Sequence, residues 1–296
     1  MEIDQYRKRY EAELAKAAAA DRRRPAAARA PAAGKRPSAA ARAKAIATTP
    51  LDRDNLEEAV TELLAILRDA KEPRTVRTAA LAVLAAGDFL GPRFAPVRAR
   101  YKDALREIAT DDVPELRERA LELLALDKDP YAQEVLAEGL RRPQKALVPE
   151  AKAIQLLGYD DHAENVPLIR RVFRRATGPA REEALRVLAT DPQSERLFAR
   201  LLKDKSEQRS IRRLSASGLQ SLNPDAFERA ARRIVADEDD DDAIRAAAVA
   251  ALTHGREARQ KPVDPKLVQT VQQAGDTTRS RALRSATRRF LQSTEQ

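Results

Sequence analysis

One nine-residue pattern recurs seven times along the chain and restricts the fold more than any other feature. It reads Val76-Arg77-x-x-Ala80-Leu81-x-x-Leu84, then Leu116-Arg117-x-x-Ala120-Leu121-x-x-Leu124 and Pro149-Glu150-x-x-Ala153-Ile154-x-x-Leu157. It continues as Ala180-Arg181-x-x-Ala184-Leu185-x-x-Leu188, Ile211-Arg212-x-x-Ser215-Ala216-x-x-Leu219 and Ile244-Arg245-x-x-Ala248-Val249-x-x-Leu252. Thr278-Arg279-x-x-Ala282-Leu283-x-x-Ala286 closes the series. The second positions lie 40, 33, 31, 31, 33 and 34 residues apart. A period in this range is the signature of stacked helix pairs, each too apolar on two sides to stand alone.

Each slot has a physical reading. The first, sixth and ninth are mostly apolar and supply buried volume. The fifth is Ala80, Ala120, Ala153, Ala184, Ser215, Ala248 and Ala282; small residues in one register allow close helix approach. The second is Arg in six of seven copies. A guanidinium repeated at one slot can bridge carboxylates or carbonyls of neighbouring turns; Asp242 and Asp276 stand three residues before their Arg, and Asp112 five before. An anion-binding ladder is the functional alternative.

Between the copies lies a second set of helices. Leu56, Val60, Leu63, Leu64 and Leu67 give the first A helix, and later ones are expected near 97–109, 131–141, 164–175, 193–203, 225–236 and 264–274. Asp129-Pro130, Gly178-Pro179, Asp191-Pro192, Asn223-Pro224 and Asp264-Pro265 mark helix starts. The long first spacing reflects an insertion, Gly87 to Pro96, whose Phe89, Leu90 and Phe94 seal the end of the array or mark a contact surface. The scarcity of aromatics, at 4%, agrees with an all-α chain.

Three segments are expected. Residues 1–20 carry an apolar stripe, Ile3, Tyr6, Tyr10, Leu14 and Ala17, at helical spacing. Residues 21–50 are an Ala/Pro/Arg-rich disordered linker with prolines at 25, 31 and 37. Residues 51–296 form the solenoid. A helix as short as the first segment is marginal alone, so its stripe needs the solenoid, a second copy or another protein. The net charge of +9 is mostly a tail property: residues 1–50 hold 12 basic and 5 acidic residues, against 43 and 41 in the other 246.

The h-Arg-x-x-Ala-h-x-x-Leu pattern resembles the HEAT-like repeats of bacterial scaffold proteins, the short type also found in phycobilisome bilin lyases. The resemblance spans about 75–290. Repeat three departs from it, with Pro149-Glu150 in place of the apolar-Arg pair, and repeat seven lacks the apolar first slot and final Leu. The resemblance implies a right-handed α-solenoid of about seven pairs, with A helices outside and B helices lining the concave side. It also implies protein binding, although fold alone proves no activity.

Signals for chemistry are thin. The absence of Cys removes disulfides, thiolate ligands and cysteine nucleophiles. Asp160, Asp161, His162 and Glu164 cluster without the spacing of a zinc site and are read as a solvated turn before a helix. The run Asp237-Glu238-Asp239-Asp240-Asp241-Asp242 is read as a solvated helix cap. No phosphate loop or nucleophile–base constellation stands out, so a non-enzyme is expected, without cofactor, metal or small-molecule substrate. The start lacks an apolar signal segment and no run is long enough for a bilayer; the cytoplasm is the default.

The expected surface is the concave B-helix ridge at slots three, four and seven. It includes Glu118, Arg119, Glu122, Lys152, Gln155, Glu182, Glu183, Arg186, Arg213, Ser217, Arg281 and Arg284. It starts mixed and ends cationic, which suits an elongated protein partner with an acidic segment. Tyr6, Tyr10, Arg22, Arg23 and Arg24 of the tail form a second contact. The alternative is a nucleic-acid-associated protein that meets phosphates through the tail and the C-terminal Arg face, Arg281, Arg284 and Arg288.

Overall fold

In the computed structural model, the described residues are 37–51, 55–160, 164–259 and 264–294. Tyr6, Tyr10, Arg22, Arg23 and Arg24 lie outside them, as do Asp161 and His162. The described residues are helical without strands. Seven A–B pairs follow one another: α2 (Leu56–Arg68) with α3 (Arg74–Asp88), α4 (Ala95–Ile108) with α5 (Pro114–Leu126), and α6 (Pro130–Arg141) with α7 (Glu150–Leu157). Then come α8 (Val166–Arg175) with α9 (Gly178–Leu188), α10 (Glu195–Lys203) with α11 (Arg209–Leu222), α12 (Pro224–Ala236) with α13 (Asp242–Arg259), and α14 (Pro265–Thr277) with α15 (Arg281–Thr294). A helices stack on A helices and B helices on B helices, and a single continuous core runs through the pairs. This is an α-solenoid.

The slots behave as their chemistry demands. The fifth is buried in the first six copies, and the sixth is buried in all but Ala216. Gly218 lies where a Cβ would meet the Phe198 ring at 2.7 Å, so a ring from the A helix takes the room that a side chain would need. The terminal copy departs: Ala282 is exposed, and α15 buries Leu283, Thr287 and Phe290 instead. In the third copy Pro149 is exposed, and Val148 is buried one residue earlier.

The repeated Arg forms rungs, and its main partners lie one repeat ahead rather than in its own loop. Arg77 donates from Nε to the Leu67 carbonyl in the last turn of α2 (2.8 Å) and from both terminal nitrogens to Asp111, between α4 and α5. Arg212 repeats this with the Leu202 carbonyl (3.0 Å) and Asp240 (2.5 and 2.7 Å). Arg181 grips Glu207 through two bonds of 2.7 and 2.6 Å and lies over its own A-helix ring, Phe173. Arg117 donates to the Leu147 carbonyl of the next repeat (2.6 Å) and to the Asp111 carbonyl (2.7 Å). Arg245 reaches the Val235 carbonyl (3.1 Å) and its own Asp242 (3.0 Å), which accepts from Thr278 of the next repeat (2.9 Å). The structural role of this slot thus stands on geometry.

The exception inverts the rung. Glu150 replaces Arg in the third copy, and Arg175, from the following A helix, pairs with it at 2.7 Å. Arg175 also donates to the Leu140 carbonyl (3.0 Å). Leu140 stands ten residues before Glu150, as Leu67 stands before Arg77, Leu202 before Arg212 and Val235 before Arg245. The carbonyl that a second-slot Arg would take is served from the other side.

A second series of links joins the A helices near their N-terminal caps. Asp129, Asp191 and Asp264 each accept from a backbone N–H two residues on, at 3.0, 3.2 and 3.0 Å. Each also pairs with an Arg of the preceding A helix: Arg106, Arg170 and Arg232. At the junctions between these, Asn165 donates to Gln133 (3.1 Å) and Asn223 to Glu195 (3.0 Å).

Within the segment expected as a linker, Ala39–Ala47 is helical (α1) and packs on α3. Its residues read Ala41-Arg42-x-x-Ala45-Ile46, an eighth copy of the B pattern, 35 residues before Arg77. Low apolar content hid it; alanine-rich helices need little apolar volume when they lie on an existing layer. The insertion after α3 divides in two. Phe94 is fully buried against Tyr101, edge to face at 5.6 Å between ring centres, whereas Phe89 is 90% exposed.

Candidate binding surface along the B layer

The middle of the expected ridge neutralises itself. Lys152 on α7 stands 3.5 Å from both Glu118 and Glu122 on α5, tying two repeats together. Arg119 pairs with Glu122 at 2.6 Å. Burial works against ionisation of Glu122, yet Arg119 and Lys152 hold its carboxyl below the usual value. On α9, Arg186 pairs with Glu183 (2.6 Å) and Glu182 (3.4 Å). Gln155 on α7 is half-buried.

The two ends of the layer are different. At the N-terminal end, a groove of about 440 Å³ lies between α3 and α5, floored by Leu81, Ala82, Ala85 and Leu116 and overhung by Phe89. At the C-terminal end, a groove of about 630 Å³ is lined by three consecutive B helices, α11, α13 and α15. Its floor is alanine: Ala246, Ala247 and Ala250 from α13, with Ala282 and Ala286 from α15. Arg213 and Arg289 line it from the two outer helices, and no carboxylate lines it among the described residues. With packed helices about 9 Å apart, roughly 40 Å separates the two grooves.

Ser217 is exposed on α11, and neither it nor Arg281 or Arg284 lines the groove. Arg284 turns back to donate to the Thr278 carbonyl (2.9 Å). On α15 the groove side is Ala282, Ser285, Ala286 and Arg289 rather than slots three, four and seven, because the last B helix buries Leu283, Thr287 and Phe290. Arg289 is therefore an addition to the expected surface, while the three alanines of repeat six occupy its slots three, four and seven. Alanine at slots three, four and seven of one repeat was the sequence signal for a floor.

The acidic run is more than a solvated cap: Glu238 and Asp239 are exposed, but the other four acids are paired. Asp240 is buried against Arg212, Asp241 pairs with Arg209 (2.5 Å), Asp237 with Lys205 (2.6 Å) and Asp242 with Arg245 (3.0 Å). Only Asp241 also caps α13, accepting from Ala243 and Ile244 at 2.9 and 3.2 Å. Lys205, Arg209 and Arg212 of repeat five and Arg245 of repeat six thus pair with four of the six acids. Among the described residues no three His, Asp or Glu side chains gather as a metal site, and no helix is long and apolar enough to cross a membrane.

Stacked pairs joined by arginine rungs define the class: an α-solenoid of repeated helix pairs. No protein-family model matches the sequence, and no curated protein matches it. Among solved structures, the chain is similar to human deoxyhypusine hydroxylase in complex with glycerol, at 15% identity and a TM-score of 0.38 over 83% of this chain and 99% of that one. It is also similar to the complex of CpcE and CpcF of phycocyanin lyase from Nostoc sp. PCC7120, at 16% identity and a TM-score of 0.36 over 86% and 98%. A designed armadillo repeat protein matches at 13% identity and a TM-score of 0.28 over 86% and 98%. Likeness at this level transfers no activity or partner to the chain.

Proposed function

We propose that this chain is a non-catalytic, cytoplasmic protein-binding scaffold. An elongated partner lies along the B layer, with an apolar segment over Phe89 and an acidic, apolar-faced segment in the α11/α13/α15 groove. The supporting observation is that second groove, whose alanine lining admits the close approach of a helix and whose Arg213 and Arg289 share it with no carboxylate among the described residues. The self-paired middle of the ridge supports contact at the ends. Affinity capture from the native host with the full chain tests this. Arg213→Glu with Arg289→Glu should remove a partner that the unaltered chain retains, with the helical signal unchanged. Equal capture by both forms overturns the reading.

The second reading rests on the 12 basic residues of positions 1–50 and on the exposed Arg281, Arg288 and Arg289 of α15. There the chain neutralises phosphates without reading sequence. Random duplex binding that falls steeply with salt and disappears on deletion of 1–48 favours it. No binding at low salt removes it.

A further inference from the structure

Helix α1 is a B helix with no described A helix before it. Its Arg42 reaches Glu72 in the first A–B loop at 2.7 Å, the rung that Arg77 makes to Asp111 one repeat later. This rung is half filled. Arg77 and Arg212 each grip both oxygens of their carboxylates, whereas Arg42 meets Glu72 Oε1, and Oε2 is buried without a hydrogen bond among the described residues. Arg77, Arg212 and Arg245 also hold the carbonyl ten residues back, in the last turn of their own A helix. For Arg42 that position is 32, upstream of the described residues. No residue of α1 is buried, and Ala45 is exposed in the fifth slot, which is buried in the next six copies.

We infer that residues 3–17 supply the missing A helix. Ile3, Tyr6, Tyr10, Leu14 and Ala17 pack on α1 and on the N-terminal end of α2, completing an eighth pair within the same chain. The stripe covers 15 residues, while the A helices of the array have 9 to 14. The 21 residues from 18 to 38 can extend up to ~3.3 Å each, far more than the ~9 Å between packed helices. A short helix that is marginal alone is held by docking, and covalent connection to α1 raises its effective concentration there.

The test uses the full chain with a photoreactive phenylalanine analogue at Tyr10. Cross-links to 39–68 within one chain, at a yield independent of protein concentration, are expected. Tyr6→Ser with Tyr10→Ser should speed amide exchange in 39–47 about tenfold and leave 195–294 unchanged. Cross-links between two chains, cross-links only to α13–α15, or unaltered exchange in α1 overturn the inference. Ala45→Asp alters an exposed position, so the array stays folded; it should abolish the cross-link, and a persisting cross-link is equally fatal.

Discussion

Arg212 and Asp240, 28 residues apart in different repeats, share two hydrogen bonds of 2.5 and 2.7 Å with both side chains almost wholly buried. The pair joins the fifth repeat to the sixth. Removing one partner leaves an uncompensated charge in the core, which costs about 3–5 kcal/mol. Arg212→Ala should lower the urea midpoint accordingly, whereas Arg212→Met with Asp240→Leu should recover most of the loss.

The inverted rung makes a reciprocal prediction. Glu150→Arg places two guanidinium groups together at Arg175, and Arg175→Glu places two carboxylates together at Glu150. Each single change should cost about 1–2 kcal/mol, because the pair is only partly buried. The double exchange should recover stability, since a guanidinium at position 150 has the Leu140 carbonyl within the ten-residue reach of the other rungs. Chemical denaturation of the three variants measures the coupling.

Acid should loosen the rungs and the A-helix links together. Burial works against ionisation of Asp111, but Arg77 and the Val113 amide hold its carboxyl below the ordinary value. Glu207 is held down by Arg181, and Asp264 by Arg232. A carboxyl whose folded pKa lies below its unfolded one stabilises the fold fully above the unfolded pKa, and that contribution fades as pH falls through the folded pKa. The melting temperature should therefore be flat above about pH 5 and drop below about pH 4. A midpoint that is constant to pH 3 contradicts the assignment.

Gly218 yields its space to Phe198. Gly218→Ala puts a methyl group 2.7–2.9 Å from three ring atoms of Phe198, and overpacking of this kind costs about 1–3 kcal/mol. Gly218→Ala combined with Phe198→Leu should lose less than the two single changes added together.

Phe89 is 90% exposed, so Phe89→Ser should change stability by no more than about 0.5 kcal/mol. The same variant should weaken partner capture if the first groove takes part in binding. Thermal melting and capture from the host separate the two effects.

The sequence revealed what repeats at the level of single slots. Apolar periodicity placed all seven pairs, and prolines after Asp or Asn placed most A-helix starts, because capping is a local interaction. The direction of the rungs was legible only at Arg245, which pairs with Asp242 as their spacing implied; slot spacing sets Arg117 against Asp112 in its own loop, while the structure sets Asp111 of that loop against Arg77 from the repeat before. Partners about 30 residues apart are chosen by stacking, which slot spacing does not encode. Helix α1 escaped notice because alanine and proline read as a linker until Arg42 is aligned with Arg77. Of the residues expected along the ridge, Arg213 lines the C-terminal groove, whereas α15 lines it with Arg289 rather than with the equally exposed Arg281 and Arg284.

Arg279 occupies the rung slot of the last pair and is exposed. Since the other rungs mostly grasp a loop that comes later in the chain, Arg279 presents an open hand. A module grafted after α15 would engage it if its first interhelical loop carried an Asp or Glu where Asp111, Glu207 and Asp240 stand, so the molecule can be lengthened by a rule written into its own joints.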